Sequence, residues 1–245
     1  MCIRDRDKAY YGVALAMKLG KATIEDAKVG YKQLKSMLED PQTIKYNILQ
    51  DYDECHLRVF TDSSWGKLDK VETVNRNLVF LVDSQGNANL LDWQSYKLAI
   101  PVSSPLAGEP VAALYGYDKI PWIRSLTEDL GFGKLPASMM VDSRSLCNAV
   151  KDTTTLKDKR AMVGIRAPDI ASADLKIKWC DATSQVADPL TKGGANPDLL
   201  RLVLRLSQLS IVGIEDTDLM RRRKECHNKH KTYISKFHCA SVIYF

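Results

Sequence analysis

Three runs with strand character follow one another between residues 57 and 100, and this succession limits the fold more than any other feature. Leu57, Val59 and Thr61 alternate with Arg58 and Phe60 and lead to Asp62. Residues 78–82 are a short apolar run. Asp83-Ser84-Gln85-Gly86-Asn87 has strong turn chemistry, and residues 88–93 follow it, so the two runs make a hairpin. Three consecutive antiparallel strands are the simplest arrangement.

Beyond residue 100, helices alternate with single strands. Residues 105–130 read as a helix ending at Gly131-Phe132-Gly133. Residues 138–141 are a buried strand, with Asp142 at its end. A short helix over 143–151 and a charged amphipathic helix over 155–165 come next. Leu175, Ile177 and Trp179 then alternate with Lys176 and Lys178 as a fifth strand. A last helix over 197–210 carries Leu199, Leu200, Val203, Leu204 and Leu206 as its apolar stripe. This order predicts an α/β fold: a five-stranded mixed sheet, three antiparallel strands then parallel strands, with helices on both faces.

Residues 8–40 also read as helical. Tyr10, Val13, Ala14 and Met17 share one face. Thr23 with Asp26 three residues later is an N-terminal capping pattern, and Pro41 stops the helix. Ala27, Tyr31, Leu34, Met37 and Leu38 are expected to turn inward. Residues 1–7 have no apolar signal core and read as a non-native leader without function.

Hydrophobic residues at 45% and charged residues at 27% allow a real core and exclude a disordered chain. The net charge of +5 permits nucleic-acid binding without requiring it. Six cysteines without Cys-x-x-Cys spacing read as reduced thiols. No apolar run approaches the roughly 18 residues of a membrane span.

The chemistry lies in four acids taken together. Asp62 is expected to end the first strand, Glu109 to lie in the first long helix, Asp142 to end the fourth strand and Asp188 to open the last helical region. With the first and fourth strands as central neighbours, the four carboxylates converge. Clustered carboxylates repel one another and need compensation. Two Mg²⁺ ions about 3.5–4 Å apart supply it, and such a pair can activate a water and stabilise the leaving oxygen of a phosphodiester.

The segment from about 57 to 206 resembles the ribonuclease H domain of copia-type retrotransposon polyproteins. Ser184-Gln185-Val186-Ala187-Asp188-Pro189-Leu190-Thr191-Lys192 keeps every fixed position of the family's Gln-x-Ala-Asp-x-Leu-Thr-Lys run. Val59-Phe60-Thr61-Asp62-Ser63-Ser64-Trp65, Ser103-Ser104-Pro105-Leu106-Ala107-Gly108-Glu109 and Val141-Asp142-Ser143-Arg144-Ser145-Leu146 resemble the other acid motifs, in the same order. Residues 20–50 resemble the connection from reverse transcriptase.

The resemblance implies a ribonuclease H-like domain over 57–210, a helical connection over 8–50 and a basic tail over 213–245. It implies an endonuclease hydrolysing the RNA strand of RNA·DNA hybrids, with Asp62, Glu109, Asp142 and Asp188 as catalytic and metal-holding residues. Mg²⁺ is the expected metal, with Mn²⁺ able to substitute. The reverse transcriptase portion of the same polyprotein is the expected partner, and no membrane is. An intracellular location, in the cytoplasm or in retroelement particles, follows. Lys157, Lys159 and Arg160 are candidate phosphate contacts.

The sequence departs from the family at two places. Pro110 directly follows Glu109 and falls inside a helix that Pro105 starts, so Glu109 is expected to be displaced. Residues 71–77 carry Val74-Asn75-Arg76-Asn77 where the family has small residues and glycine. These departures leave an alternative open: a catalytically inactive, decayed domain that binds nucleic acid or a polymerase partner. In the tail, Cys226, His230, His238 and Cys239 match no standard zinc spacing.

Overall fold

The computed structural model describes residues 19–39, 44–65, 73–98, 105–151, 175–191 and 197–209. The leader at 1–7, the first helix at 10–17, the helix at 155–165 with Lys157, Lys159 and Arg160, and the tail at 213–245 lie outside the described residues.

The three consecutive strands are longer than their periodicity indicates. β1 is His56–Trp65, β2 is Thr73–Val82 and β3 is Ala88–Lys97. They pair antiparallel, with Val59 opposite Val79 and Asp62 opposite Arg76. β4 (Ala137–Val141) pairs parallel to β1, and β5 (Leu175–Trp179) parallel to β4. The sheet order is β3-β2-β1-β4-β5. The mixed sheet is therefore the expected one, with the first and fourth strands adjacent at its centre. Asp62 is a correction: it does not end β1, which continues three residues further. Residues 73–77 belong to β2, and every residue of β2 is buried.

Among the described residues five α-helices accompany the sheet: α1 (Ile24–Glu39), α2 (Pro105–Asp129), α3 (Arg144–Lys151), α4 (Asp188–Thr191) and α5 (Asp198–Leu206). Side chains alternate between the faces of a strand. One face of the sheet supplies Leu57, Val59, Val79, Leu81, Met139, Val141 and Leu175 to a core completed by Ala113, Ile120 and Ile123 of α2 and Leu146 of α3. Phe60, Leu78 and Phe80 form a separate buried layer on the other face, with the Phe60 and Phe80 rings edge to face at 6.0 Å. α4 packs on β1 and β2, and its Leu190 is fully buried.

α2 lies unusually close to β1 because small residues line its contact side. Gly108, Ala112 and Gly116 recur every four residues, which puts them on one face. A Cβ at Gly108 would stand 2.5 Å from Ser63 Oγ. A Cβ at Gly116 would stand 2.5 Å from Thr61 Cγ2 and 3.3 Å from both Val59 Cγ1 and Met139 Cε. At the other end, Gly131 has φ +88°, with Phe132 N–H bonding Thr127 O and Gly131 N–H bonding Glu128 O, a Schellman stop.

The α1 expectation is half right. Thr23 and Asp26 form the reciprocal capping bonds: Asp26 N–H donates to Thr23 Oγ1 at 3.2 Å and Thr23 N–H to Asp26 Oδ2 at 2.9 Å. Its apolar face, however, is not buried. Tyr31, Leu34 and Leu38 are 68%, 55% and 74% exposed, and Ala27 is exposed. Periodicity shows which residues share a face and says nothing about whether an element covers it.

Asp83 organises the β2–β3 turn. Gln85 and Asn87 N–H donate to its Oδ1, while Gln50 N–H and Asn87 Nδ2 donate to its Oδ2. Burial alone would raise its pKa, but these four bonds to the charged form win and lower it. The folded-state pKa therefore lies below the unfolded value, so the carboxylate stabilises the fold above that value and the benefit goes as pH falls through the folded pKa.

Two outcomes follow. Asp83→Asn lowers the thermal midpoint at pH 7, and the gap from wild type narrows as the pH falls below about 4, the ordinary aspartate range. A gap independent of pH excludes this role for the charge. Gly116→Ala costs about 1–3 kcal/mol by overpacking, read from chemical denaturation, whereas Gly20→Ala, with nothing within 4 Å of the new Cβ, brings no such clash.

Candidate metal centre

The parallel register of β1 and β4 brings two acids side by side. Phe60 pairs with Met140, so two residues further on Asp62 comes level with Asp142, just past the end of β4. Both project to the same face of the sheet. The backbone at Asp142 is held from β5: Trp179 Nε1–H donates to Asp142 O at 2.9 Å, and Cys180 N–H to Val141 O at 2.8 Å. The Arg144 guanidinium lies 4.2 Å over the Trp179 ring and fixes the indole in turn. Ser143 then starts α3, accepting at Oγ from Leu146 N–H.

Glu109 comes from the second turn of α2. Pro105 begins that helix, where its missing N–H costs nothing, and Pro110 lies inside it. The expectation that Pro110 displaces Glu109 is not met. One oxygen from each of Asp62, Glu109 and Asp142 lies within 4.8 Å of the others. Pro110 removes only its own bond to the Leu106 carbonyl in the helix's opening turns. The close seat of Gly108 on Ser63 holds the adjacent Glu109 over β1 regardless.

Asp62 is buried, while Glu109 and Asp142 are half-buried. Like charges at this spacing repel by about 3 kcal/mol per pair at an effective dielectric near 20. The donors are all hard carboxylate oxygens. This set fits a small divalent cation such as Mg²⁺ or Mn²⁺ and lacks the nitrogen and sulfur ligands of zinc sites.

Asp188 is not among the three. It is the first residue of α4 and half-buried, and its N–H bonds Gln185 O at 3.3 Å. Gln185 is the tether. Its buried side chain donates from Nε2 to Thr61 O at 2.9 Å and accepts at Oε1 from Ala187 N–H at 3.3 Å. The turn carrying Asp188 is thus bonded to the residue next to Asp62, although its carboxylate falls outside the 4.8 Å group. Of the four acids, the structure brings three together and anchors the fourth beside them.

Sequence reasoning passed over Trp179 and the role of Gln185, and noted Arg76 only as a departure. Gln185 was legible, since it is a fixed position of the quoted run. Trp179 looked like a core residue of an alternating strand. Arg76 required the strand register.

The fold is ribonuclease H-like: three antiparallel strands, then two parallel ones, with the acids at the centre of the sheet. No protein family and no curated protein matches the sequence. Among solved structures, the ribonuclease H1 of the archaeon Halobacterium salinarum NRC-1 is similar at 13% identity and TM-score 0.38, over 53% of this chain and 89% of that one. LC11-RNase H1, solved in complex with an RNA/DNA hybrid, is similar at 13% identity and TM-score 0.42, over 55% and 92%. The prototype foamy virus protease-reverse transcriptase is similar at 12% identity and TM-score 0.38, over 78% of this chain and 28% of that one. These likenesses are distant, and the fold is assigned from strand order and register.

Gln185→Leu is expected to leave the Thr61 carbonyl buried without its donor and to loosen the Asp188 turn. The cost is about 1–3 kcal/mol of stability in denaturant titration. An unchanged midpoint excludes the tether.

Proposed function

We propose that this chain is a metal-dependent endonuclease that hydrolyses the RNA strand of RNA·DNA hybrids, within the polyprotein of a copia-type retrotransposon. The observation that carries the proposal is the meeting of Asp62, Glu109 and Asp142 within 4.8 Å on a ribonuclease H-like sheet. The nine-residue run around Asp188 supports the retrotransposon origin.

Asp62, Glu109 and Asp142 are the residues that would hold Mg²⁺, with Asp188 serving a second ion. Bound there, the metal supplies positive charge at the phosphodiester and acidifies a water. The chain's own part is placement. Asp62 and Asp142 are set by neighbouring strands and Glu109 by the close-packed start of α2, so the donors are in place before substrate arrives. Asp188 is supported through Gln185 and Thr61. Lys157, Lys159 and Arg160 are proposed to contact phosphate. Recognition through phosphates and 2′-hydroxyls makes base sequence of little account. The proposed location is the cytoplasm or retroelement particles, beside the reverse transcriptase portion. No helix among the described residues is long and apolar enough to cross a membrane.

One observation favours the alternative of an inactive domain. The side-chain amide of Asn77 is buried and has no hydrogen-bond partner among the described residues, a cost that a well-selected strand avoids.

A labelled RNA·DNA hybrid separates the two. With Mg²⁺ the folded protein is expected to release RNA fragments with 3′-hydroxyl and 5′-phosphate ends. EDTA abolishes the cleavage, and Asp142→Asn slows it at least about a hundredfold, as loss of a charge-stabilising group does. Folded wild-type protein that binds hybrid without cutting it establishes the inactive alternative.

A further inference from the structure

Arg76 is the one Lys or Arg among the described residues that is fully buried, with 0% of its surface exposed. It is also the largest of the fully buried side chains. Its place in the sheet gives this meaning. Arg76 on β2 is the direct cross-strand partner of Asp62 on β1, so the two side chains leave the sheet on the same face. Directly opposed residues have Cβ atoms about 4.5–5.5 Å apart. Ser95 on β3 lies opposite Arg76, and Asp142 comes level with Asp62 from the β4 side. One row across the sheet therefore runs Ser95, Arg76, Asp62, Asp142, with a cation on one side of Asp62 and a carboxylate on the other.

A buried guanidinium is stable only beside opposite charge, and Asp62, itself 1% exposed, is the acid that the register sets next to it. Arginine cannot release its proton to relieve the cost. Asp62 thus stands between two demands on one negative charge: the fixed cation across the ladder, and any divalent ion held with Glu109 and Asp142.

We propose that Arg76 is a positioning residue that partly neutralises Asp62 and so weakens and tunes divalent-cation binding at the carboxylate cluster. The proposal rests on the cluster being a metal site. Removing the positive charge returns the full charge of Asp62 to the metal, so affinity rises. Lysine at the same position keeps the charge and keeps affinity low. A merely structural Arg76 predicts neither effect, because its loss would loosen the site and weaken binding.

The test is calorimetric titration of MnCl₂ into the full chain, compared among wild type, Arg76→Met, Arg76→Lys and Asp142→Asn. Arg76→Met is expected to bind Mn²⁺ at least about tenfold more tightly than wild type, the scale of one nearby charge in a half-wet site. Arg76→Lys should bind as wild type does, and Asp142→Asn should lose binding. The metal-induced rise in thermal midpoint should also be larger for Arg76→Met. Should that variant not fold, Arg76→Gln provides the same loss of charge with a polar side chain. Equal or weaker binding by the neutral variants, while wild type binds and Asp142→Asn does not, overturns the role of Arg76 and leaves the metal site standing. If neither wild type nor the neutral variants bind Mn²⁺, the metal site falls and the proposal with it.

Discussion

Three carboxylates converge within 4.8 Å at the centre of the sheet, and their mutual repulsion is what the surrounding structure must contain. The containment begins with backbone hydrogen bonds. Antiparallel pairing with β2 and parallel pairing with β4 fix Asp62 and bring Asp142 level with it. A register slip of one residue would turn Asp62 to the opposite face. Both neighbours of β1 are buried along their whole length, which makes such a slip costly.

Glu109 reaches the same point by a different route. Its helix approaches β1 closely because glycine and alanine line the contact, and the approach is tight enough that a single Cβ at Gly108 meets Ser63. This packing explains why Pro110 is tolerated. A proline inside a helix removes one hydrogen bond and crowds the preceding turn, but the helix here is held from outside, by the sheet beneath it. The start of α2 is thus positioned by tertiary contact rather than by helix propensity.

Much of this was legible in the sequence. The order of strands and helices, the hairpin at Asp83 to Asn87 and the order of the acid motifs all rest on local chemistry that one chain displays by itself. The strand lengths were not legible. Asn75, Arg76 and Asn77 are polar, so the apolar run marks the strand only from residue 78, yet β2 takes them in because β1 and β3 both extend to pair with them. The exposed face of α1 was misjudged for a related reason: Tyr31, Leu34 and Leu38 have the right period, and only the tertiary structure shows them uncovered. The opposition of Arg76 and Asp62 across β1 and β2 needed a register, and a register is a relation between distant segments.

The central claim is that Asp62, Glu109 and Asp142 form one cation site. It is tested most directly by anomalous diffraction from a crystal of the chain grown or soaked with Mn²⁺. The account predicts an anomalous peak within coordination distance of an oxygen from each of these three residues, at about 2.0–2.3 Å by the usual geometry of hard cations. A crystal in which the three carboxylates stand apart, or in which Mn²⁺ at saturating concentration binds elsewhere and leaves them bare, contradicts it.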